Sequence, residues 1–444
     1  MSPIACLVLA AGHGTRMHSA KPKVLHDVGH LPMLGHCLRL ARAVGAERLG
    51  VVLGAGGEQV AAALGGLDPD AATATQDPPR GTGDAVRCAM PLLEGFEGVV
   101  LVLYGDTPLL TSESVRALLA EIEAGAGLAV LGFETDDPGP YGRLVTRGGE
   151  LLRIVEAKDA TEDERAITLC NSGVMAMTTE VLRRYLPLIG NDNAKGEYYL
   201  TDLVALAGAG GHRLAHVRGA QDEVVGVNTR SELAAAEAIF QRRMRERFMR
   251  EGVTLIDPDT VYFAHDTTIG ADCTIGPSVV FGPGVVIEAN VTVRAFSHIE
   301  GAVLRRGSSA GPFARLRQGT ELGEGAAVGN FVETKKAALG EGVKVGHLTY
   351  LGDAEIGAGT NIGAGTITCN YDGYGKHRTV VGENAFIGSS TMLVAPVTVG
   401  SGAFTGSGSV ITRDVADDAL AVGRGRQFEK AGWAAAFRAK HGDS

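Results

Sequence analysis

A chain of 444 residues, 45% hydrophobic and 21% charged, has room for two domains with real cores and is too apolar to be a disordered polymer. Its formal net charge of −10 argues against non-specific binding to nucleic acid or anionic membrane, and no stretch approaches the roughly 20 apolar residues that span a bilayer. Glycine is abundant, with 63 residues, yet shows no collagen-like Gly-X-Y period.

Residues 1–229 alternate short apolar runs with helical patterns. Ile4–Ala11, Leu49–Leu53, Val99–Tyr104 and Leu128–Phe133 have strand length, and Met33–Val44 and Ser112–Glu123 read as helices. Continuous apolar strands between helices predict an α/β domain with a parallel sheet covered on both faces. Ligands of such sheets bind beyond the carboxyl ends of the strands.

Residues 230–251 are rich in helix formers, with Thr229 and Glu232 spaced as a capping box and Gly252 placed to end the helix. A helix of some 20 residues is roughly 30 Å long and would serve as a linker.

From residue 252 onward a six-residue period takes over. Ile269, Ile275, Phe281, Ile287, Val293 and Ile299 open consecutive units, followed by Leu322, Val328, Leu339, Val345, Leu351, Ile356 and Ile362. Val381, Ile387, Leu393, Val399, Thr405 and Ile411 form the last run. An aliphatic residue before a small one at this period is the hexapeptide signature of a parallel β-helix. The expected geometry puts the aliphatic residue inside and the following glycine at a tight corner. Breaks at Ala302–Thr320 and Ile367–Val380 read as loops leaving the solenoid, where function tends to sit.

The first strand runs into Ala10-Ala11-Gly12-His13-Gly14-Thr15-Arg16-Met17, with Lys21-Pro22-Lys23 behind it. Such a turn can cradle phosphate on its N–H groups, with Arg16 and Lys23 as added cations, or can simply be a tight packing turn. It is neither a P-loop nor a GxGxxG motif. Asp106, in Tyr104-Gly105-Asp106-Thr107-Pro108, is placed to hold a hard cation or to form a turn. In the second half, Arg317, Lys335, Lys376 and His347 break the repeat with cations and an imidazole, a set suited to a phosphosugar and a proton transfer.

Leu9-Ala-Ala-Gly-His-Gly-Thr-Arg-Met with Pro22-Lys23, Gln76 with Gly81-Thr82-Gly83, and Tyr104-Gly-Asp106 resemble sugar-phosphate nucleotidyltransferases. Tyr141-Gly142-Arg143, Ile154-Val155-Glu156, Asn171-Ser-Gly173, Gly196-Glu-Tyr-Tyr199 and Gly226-Val-Asn228 extend the match. With the second-half segments around Arg317, Lys335, His347 and Asn370, the chain resembles, over nearly its whole length, a bacterial bifunctional family. Its members join N-acetylglucosamine-1-phosphate uridyltransferase to glucosamine-1-phosphate acetyltransferase.

The resemblance implies a Rossmann-like nucleotidyltransferase domain followed by a left-handed parallel β-helix. It assigns Leu9, Ala10, Ala11, Gly12, Lys23, Gln76, Gly81, Thr82, Tyr104 and Asp106 to UTP, and Gly142, Glu156, Asn171, Tyr199 and Asn228 to N-acetylglucosamine-1-phosphate. Asp106 and Asn228 share Mg²⁺, and Arg16 and Lys23 offset charge as pyrophosphate leaves. Arg317, Lys335, Tyr350 and Asn361 hold glucosamine-1-phosphate, and His347 is the general base. Ala364, Asn370, Tyr371, Lys376, Ser389, Ser407 and Arg424 receive acetyl-CoA. Pro79 stands where the family commonly has a second glutamine. The resemblance also implies a homotrimer, with the tail Lys430–Trp433 packing across a neighbour.

Six singly spaced cysteines and an N-terminus without a basic, apolar leader fit a cytoplasmic protein. Two competing readings are a one-reaction nucleotidyltransferase whose β-helix senses effectors or assembles subunits, and a non-catalytic scaffold. The scaffold leaves Arg16, Lys23, Asp106 and Asn228 without a purpose.

Overall fold

The computed structural model describes residues 2–12 and 14–441, so His13 of the Gly-rich loop and residues 442–444 lie outside the described residues. The chain divides into two compact units, Met1–Arg242 and Arg243–Ser444. Among the described residues no helix is long and apolar enough to cross a membrane. All six cysteines are free.

In the first unit the elements follow as β1 (Ile4–Ala10), α1 (Met33–Ala43), β2 (Ala46–Gly54), α2 (Glu58–Leu67), β3 (Ala72–Gln76), α3 (Thr82–Ala89) and β4 (Val99–Tyr104). They continue as α4 (Ser112–Glu123), β5 (Leu128–Glu134), β6 (Arg143–Arg147), β7 (Glu150–Val155) and β8 (Leu169–Thr178). The unit's last elements are α5 (Thr179–Tyr185), α6 (Asp202–Ala209), β9 (Leu214–Arg218) and the start of α7 (Arg230–Arg250). The main sheet has the order β9-β5-β8-β4-β1-β2-β3, with the β6–β7 hairpin attached to β8.

The run Ile4–Ala10 is buried at every position because its side chains alternate between two cores. Cys6, Val8 and Ala10 join Leu34, Leu38 and Val51 on one face. Ala5, Leu7 and Leu9 join Val52, Val86 and Leu203 on the other. A strand covered on both sides needs no polar face, which is why the sequence reads as continuous.

The sheet is mixed rather than wholly parallel. β8 runs antiparallel to both β4 and β5. Its sequence carries polar Asn171 and Ser172 beside Gly173, which hides it from a search for apolar runs.

α7 begins with the expected reciprocal cap. The Glu232 backbone N–H donates to Thr229 Oγ1 at 3.2 Å, and the Thr229 N–H donates to the Glu232 carboxylate at 2.8 Å. Gly252 follows its last turn at φ +91°.

The second unit is a parallel β-helix. Ile269 pairs with Ile287, Ile275 with Val293, and Phe281 with Ile299, so one coil takes three hexads. Every aliphatic position of the predicted repeat is buried.

Two expectations need correcting. The segment Ala302–Thr320 is not a loop. Leu304 follows Ile299 after five residues instead of six, and Leu304, Ala310 and Leu316 are fully buried in register with the coil below. Thr334 likewise fills an inward position with a polar side chain. The break at Ile367–Val380 does contain an inserted loop, between strands Ile367–Cys369 and Thr379–Val381.

The glycine after each aliphatic residue is not the left-handed corner either. A Cβ on Gly270 would sit 2.7 Å from the backbone nitrogen of Ala289, and one on Gly276 would sit 2.6 Å from that of Ala295. Glycine is needed there because the next coil lies against it. The positive-φ corner comes two residues later, at Asp272, Ser278, Asn290 and Phe296. In successive coils Phe296, Phe313 and Phe331 occupy that corner. Their rings stack at 5.0 and 5.1 Å, forming an exposed aromatic column. The last described element is an exposed helix, α8 (Trp433–His441).

Phe281 is fully buried and stacked on Phe263 at 5.3 Å. Phe281→Ala is expected to cost about 3–5 kcal/mol in the second unit's denaturant unfolding transition. A loss below 1 kcal/mol would mean that this interior is not close-packed.

Candidate active sites

Three parallel strands of the first unit end at one cleft of about 280 Å³. β1 contributes Leu9 and Ala10, β3 contributes Gln76, and β4 contributes Tyr104. Ala11, Gly12, Lys23, Gly81, Thr82 and Asp106 complete the expected nucleotide set along its wall. Val24, Pro79, Ala85 and Glu197 also line it and were not singled out as contacts by the sequence. A larger hollow, about 540 Å³ near Glu150 and His216, holds none of the expected residues.

The wall is built by close backbone approaches. Gly81 has φ +107°, and a Cβ there would lie 2.6 Å from the Tyr198 carbonyl oxygen. That carbonyl accepts from the Gly83 N–H at 2.8 Å, and the Tyr198 N–H donates to the Arg80 carbonyl at 2.8 Å. The Gly81-Thr82-Gly83 segment is thereby fastened to the chain that carries Tyr199.

Lys23 is the electrostatic centre of this cleft. Its ammonium pairs with Asp106 Oδ2 and donates to Asn228 Oδ1 at 3.0 Å, with the Lys23 side chain only 9% exposed. The Val227 N–H donates to the Asp106 carbonyl at 2.9 Å and so brings Asn228 to β4's end. A carboxylate oxygen and an amide oxygen thus converge on one positive charge, a donor pair that suits a hard divalent cation. Among the described residues no cluster of three or more His, Cys, Asp or Glu is placed to hold a metal. Arg16, on the turn Thr15–Met17, is exposed and is not among the residues lining the cleft.

The expected sugar residues form a second group. The Asn171 N–H donates to the Gly142 carbonyl at 2.8 Å, and Asn171 Oδ1 accepts from the Gly173 N–H at 2.9 Å. Glu156 accepts from the Thr201 hydroxyl at 3.1 Å. Burial raises the Glu156 carboxyl above its ordinary range, against the opposing pull of the Thr201 hydroxyl. The Tyr199 hydroxyl is buried and has no hydrogen-bond partner among the described residues, and burial pushes it up to about 12.

In the second unit the coil register places the chemistry. Asn330 and His347 are register partners one coil apart, and Asn330 Oδ1 meets His347 Nδ1. With Nδ1–H donating to that oxygen, Nε2 keeps its lone pair. Asn330 was missed as a site residue; the 17-residue separation, close to one coil, was its signal.

Arg317 pairs with Glu333 at 2.8 Å. Lys376 and then Arg317 depress the Lys335 ammonium, so three cations crowd one place in an acidic chain. A Cβ on Gly352 would collide with the Tyr350 hydroxyl and with Asn370 Nδ2, which brings Tyr350 beside the inserted loop. The loop holds its own shape. Asp372 accepts from the Tyr374 and Gly375 N–H groups and meets His377 Nε2 at 2.6 Å. These bonds, that of Gly375 foremost, hold its carboxyl far below the usual range. Tyr371 donates from its hydroxyl to the Gly373 carbonyl at 2.7 Å.

Asn361 lies on a neighbouring strand, paired with Lys344. Ala364, Ser389 and Ser407 follow one another up successive coils. The Ser390 N–H donates to the Ala364 carbonyl at 2.7 Å, and the Gly408 N–H to the Ser389 carbonyl at 2.8 Å. Arg424 lies exposed beyond the last strand, its Cδ 4.0 Å from where a Cβ on Gly408 would stand.

A nucleotide-sized cleft at the ends of parallel strands, followed by a coil presenting a histidine and clustered cations, defines a two-part transferase. The MobA-like NTP transferase domain family matches residues 6–173. The bacterial transferase hexapeptide (six repeats) family matches residues 266–301 and 378–413, which makes the second unit a left-handed parallel β-helix. The chain is 57% identical to the Bifunctional protein GlmU of Paracoccus denitrificans, over 99% of each chain. It is 58% identical to that of Cereibacter sphaeroides, over 97% of this chain and 95% of the relative. The chain belongs to the family of bifunctional GlmU proteins.

Glu156 supplies a pH-dependent check. Its raised folded pKa means that its contribution to stability is present at low pH and is lost as pH rises through the folded value. Glu156→Gln keeps an acceptor for Thr201 without the buried charge. It is expected to raise the first unit's melting temperature at pH 8, with the gain vanishing toward pH 4. A loss of stability at pH 8 would contradict this reading.

Proposed function

We propose that the chain performs two consecutive steps in making UDP-N-acetylglucosamine. As a member of its family it carries an acetyltransferase and a uridyltransferase activity. The second unit acetylates the amine of glucosamine-1-phosphate from acetyl-CoA. The first unit then transfers uridylyl from UTP to N-acetylglucosamine-1-phosphate and releases pyrophosphate.

The observation that carries the first assignment is the convergence of Lys23, Asp106 and Asn228 at the cleft formed by three strand ends. Asp106 and Asn228 are the residues that would hold Mg²⁺. Bound there, it would supply charge neutralisation for the triphosphate and the departing pyrophosphate. Lys23 then turns its ammonium to phosphate oxygens, joined by Arg16 from the exposed turn. The Gly-rich loop offers backbone N–H groups to the same anion. Gly142, Glu156, Asn171 and Tyr199 bind the sugar and hold its phosphate oxygen in line with the α-phosphorus. That oxygen forms the new P–O bond as the bond to pyrophosphate breaks, so no protein nucleophile is required.

In the second unit His347 Nε2 accepts the proton of the attacking amine, with Asn330 fixing the ring. The amine bonds to the thioester carbonyl carbon, the C–S bond breaks, and the thiolate of coenzyme A takes up a proton. Arg317, Lys335, Tyr350 and Asn361 bind glucosamine-1-phosphate. Asn370, Tyr371 and Lys376 of the loop, with Ala364, Ser389, Ser407 and Arg424, receive acetyl-CoA.

The assembly is a cytoplasmic homotrimer of residues 1–229, a 230–251 linker and residues 252–444. The exposed Phe296–Phe313–Phe331 column and the exposed terminal helix support self-association.

Two variants test the division of labour. Asp106→Ala is expected to lower uridylyl transfer at least a hundredfold and leave acetyl transfer unchanged, and His347→Ala to do the reverse, with magnitudes in the range of 10²–10⁴ for a catalytic proton acceptor. Loss of both activities in either folded variant would contradict separate sites.

A further inference from the structure

Gln76 closes β3 and lines the cleft, yet only 3% of it is exposed. A glutamine carboxamide carries two N–H donors and one acceptor oxygen. Both donors are spent inside the protein. Nε2 donates to the Gly81 carbonyl at 2.9 Å and to Asp84 Oδ2 at 3.0 Å. Asp84 lies in the first turn of α3 with its side chain 13% exposed, and its other oxygen stands 4.0 Å from the Arg87 guanidinium.

An ionised carboxylate and a carbonyl can only accept. Turning the Gln76 amide end for end would set its oxygen against both of them, where a buried unpaired polar group is costly. The amide therefore has one orientation. Oε1 is the polar atom it can offer the cleft, and among the described residues no donor is bonded to it. Pro79, on the same wall, has no side-chain donor or acceptor.

We propose that Asp84 is a positioning residue that locks Gln76 as an acceptor-only reader of the nucleotide base, selecting uracil over cytosine. The N3 of uracil carries a hydrogen and donates to Oε1. The N3 of cytosine carries a lone pair and would face Oε1 acceptor to acceptor. A thymine base presents the same N3–H as uracil and passes this test. The inference rests on the UTP reading above, which already sets Gln76 against the base, and deepens it by assigning the amide's orientation to a residue that does not line the cleft.

The test is to measure kcat/KM for UTP and for CTP, with N-acetylglucosamine-1-phosphate as acceptor, on the full-length protein and on Asp84→Asn, Asp84→Ala and Asp84→Glu. The first unit's thermal transition is followed alongside as the check on folding. Asp84→Asn and Asp84→Ala are each expected to reduce the UTP:CTP ratio about tenfold, equivalent to about 1.4 kcal/mol. That loss should appear chiefly in KM for UTP. Asp84→Glu, which restores an acceptor-only group, is expected to recover most of the ratio.

A merely structural Asp84 would lower both nucleotides equally, and a ratio kept in the folded Asn or Ala variant overturns the proposal. A wild-type protein that prefers CTP or a purine nucleotide would instead overturn the UTP reading itself. The two failures are therefore distinguishable.

Discussion

Parallel pairing in register is the constraint on which both units depend. In the first, β1 lies in step with β2 and with β4, so Ala10 and Tyr104 end on the same side of the sheet. β3 is in step with β2 and delivers Gln76 to that side. The cleft is the gap beyond those ends. In the second unit the same kind of pairing returns every coil to the position it occupied below. Asn330 comes under His347, and Ala364, Ser389 and Ser407 fall into one line. One residue inserted or lost within a coil would move these partners apart unless, as at Leu304, the shortened step sits at a corner.

Charge is arranged locally against the overall sign of the molecule. The chain carries −10 at neutral pH, yet the ligands proposed for it are themselves anionic. The first unit meets this with Lys23, kept almost wholly out of water between two oxygen donors. The second gathers Lys376 and Arg317 around Lys335, whose ammonium they depress. Such crowding is unfavourable by itself and would be relieved by the phosphate of the proposed substrate. An acidic surround also disfavours anions that cannot reach these particular groups.

Much of the fold was legible because repeat and burial leave a one-dimensional trace. The hexad aliphatics could be read off one by one, since each must face a narrow interior. The Gly corner was misplaced because spacing alone cannot separate a glycine required by dihedral from one required by the next coil's approach. Ala302–Thr320 looked like a loop because a five-residue step breaks the count without breaking the coil. β8 escaped because its middle is polar.

The candidate sites were legible where residues cluster along the chain, as around Gly12 or Asn370. Asn330 and Asp84 act on partners 17 and eight residues away, through register and a helix turn, and neither carries a motif of its own. The direction of Gln76's amide is a property of its neighbours, and only coordinates contain it.

The central claim is that one chain holds both steps. The most direct measurement is to incubate the purified full-length protein with glucosamine-1-phosphate, acetyl-CoA, UTP and Mg²⁺, and to identify products by mass spectrometry with each reactant omitted in turn. The account expects UDP-N-acetylglucosamine from the complete mixture and N-acetylglucosamine-1-phosphate when UTP is left out. Without acetyl-CoA, unacetylated glucosamine-1-phosphate should remain the predominant sugar species. Uridylyl transfer to supplied N-acetylglucosamine-1-phosphate, with no acetylation of glucosamine-1-phosphate under any mixture, would contradict it and leave the β-helix without a catalytic role.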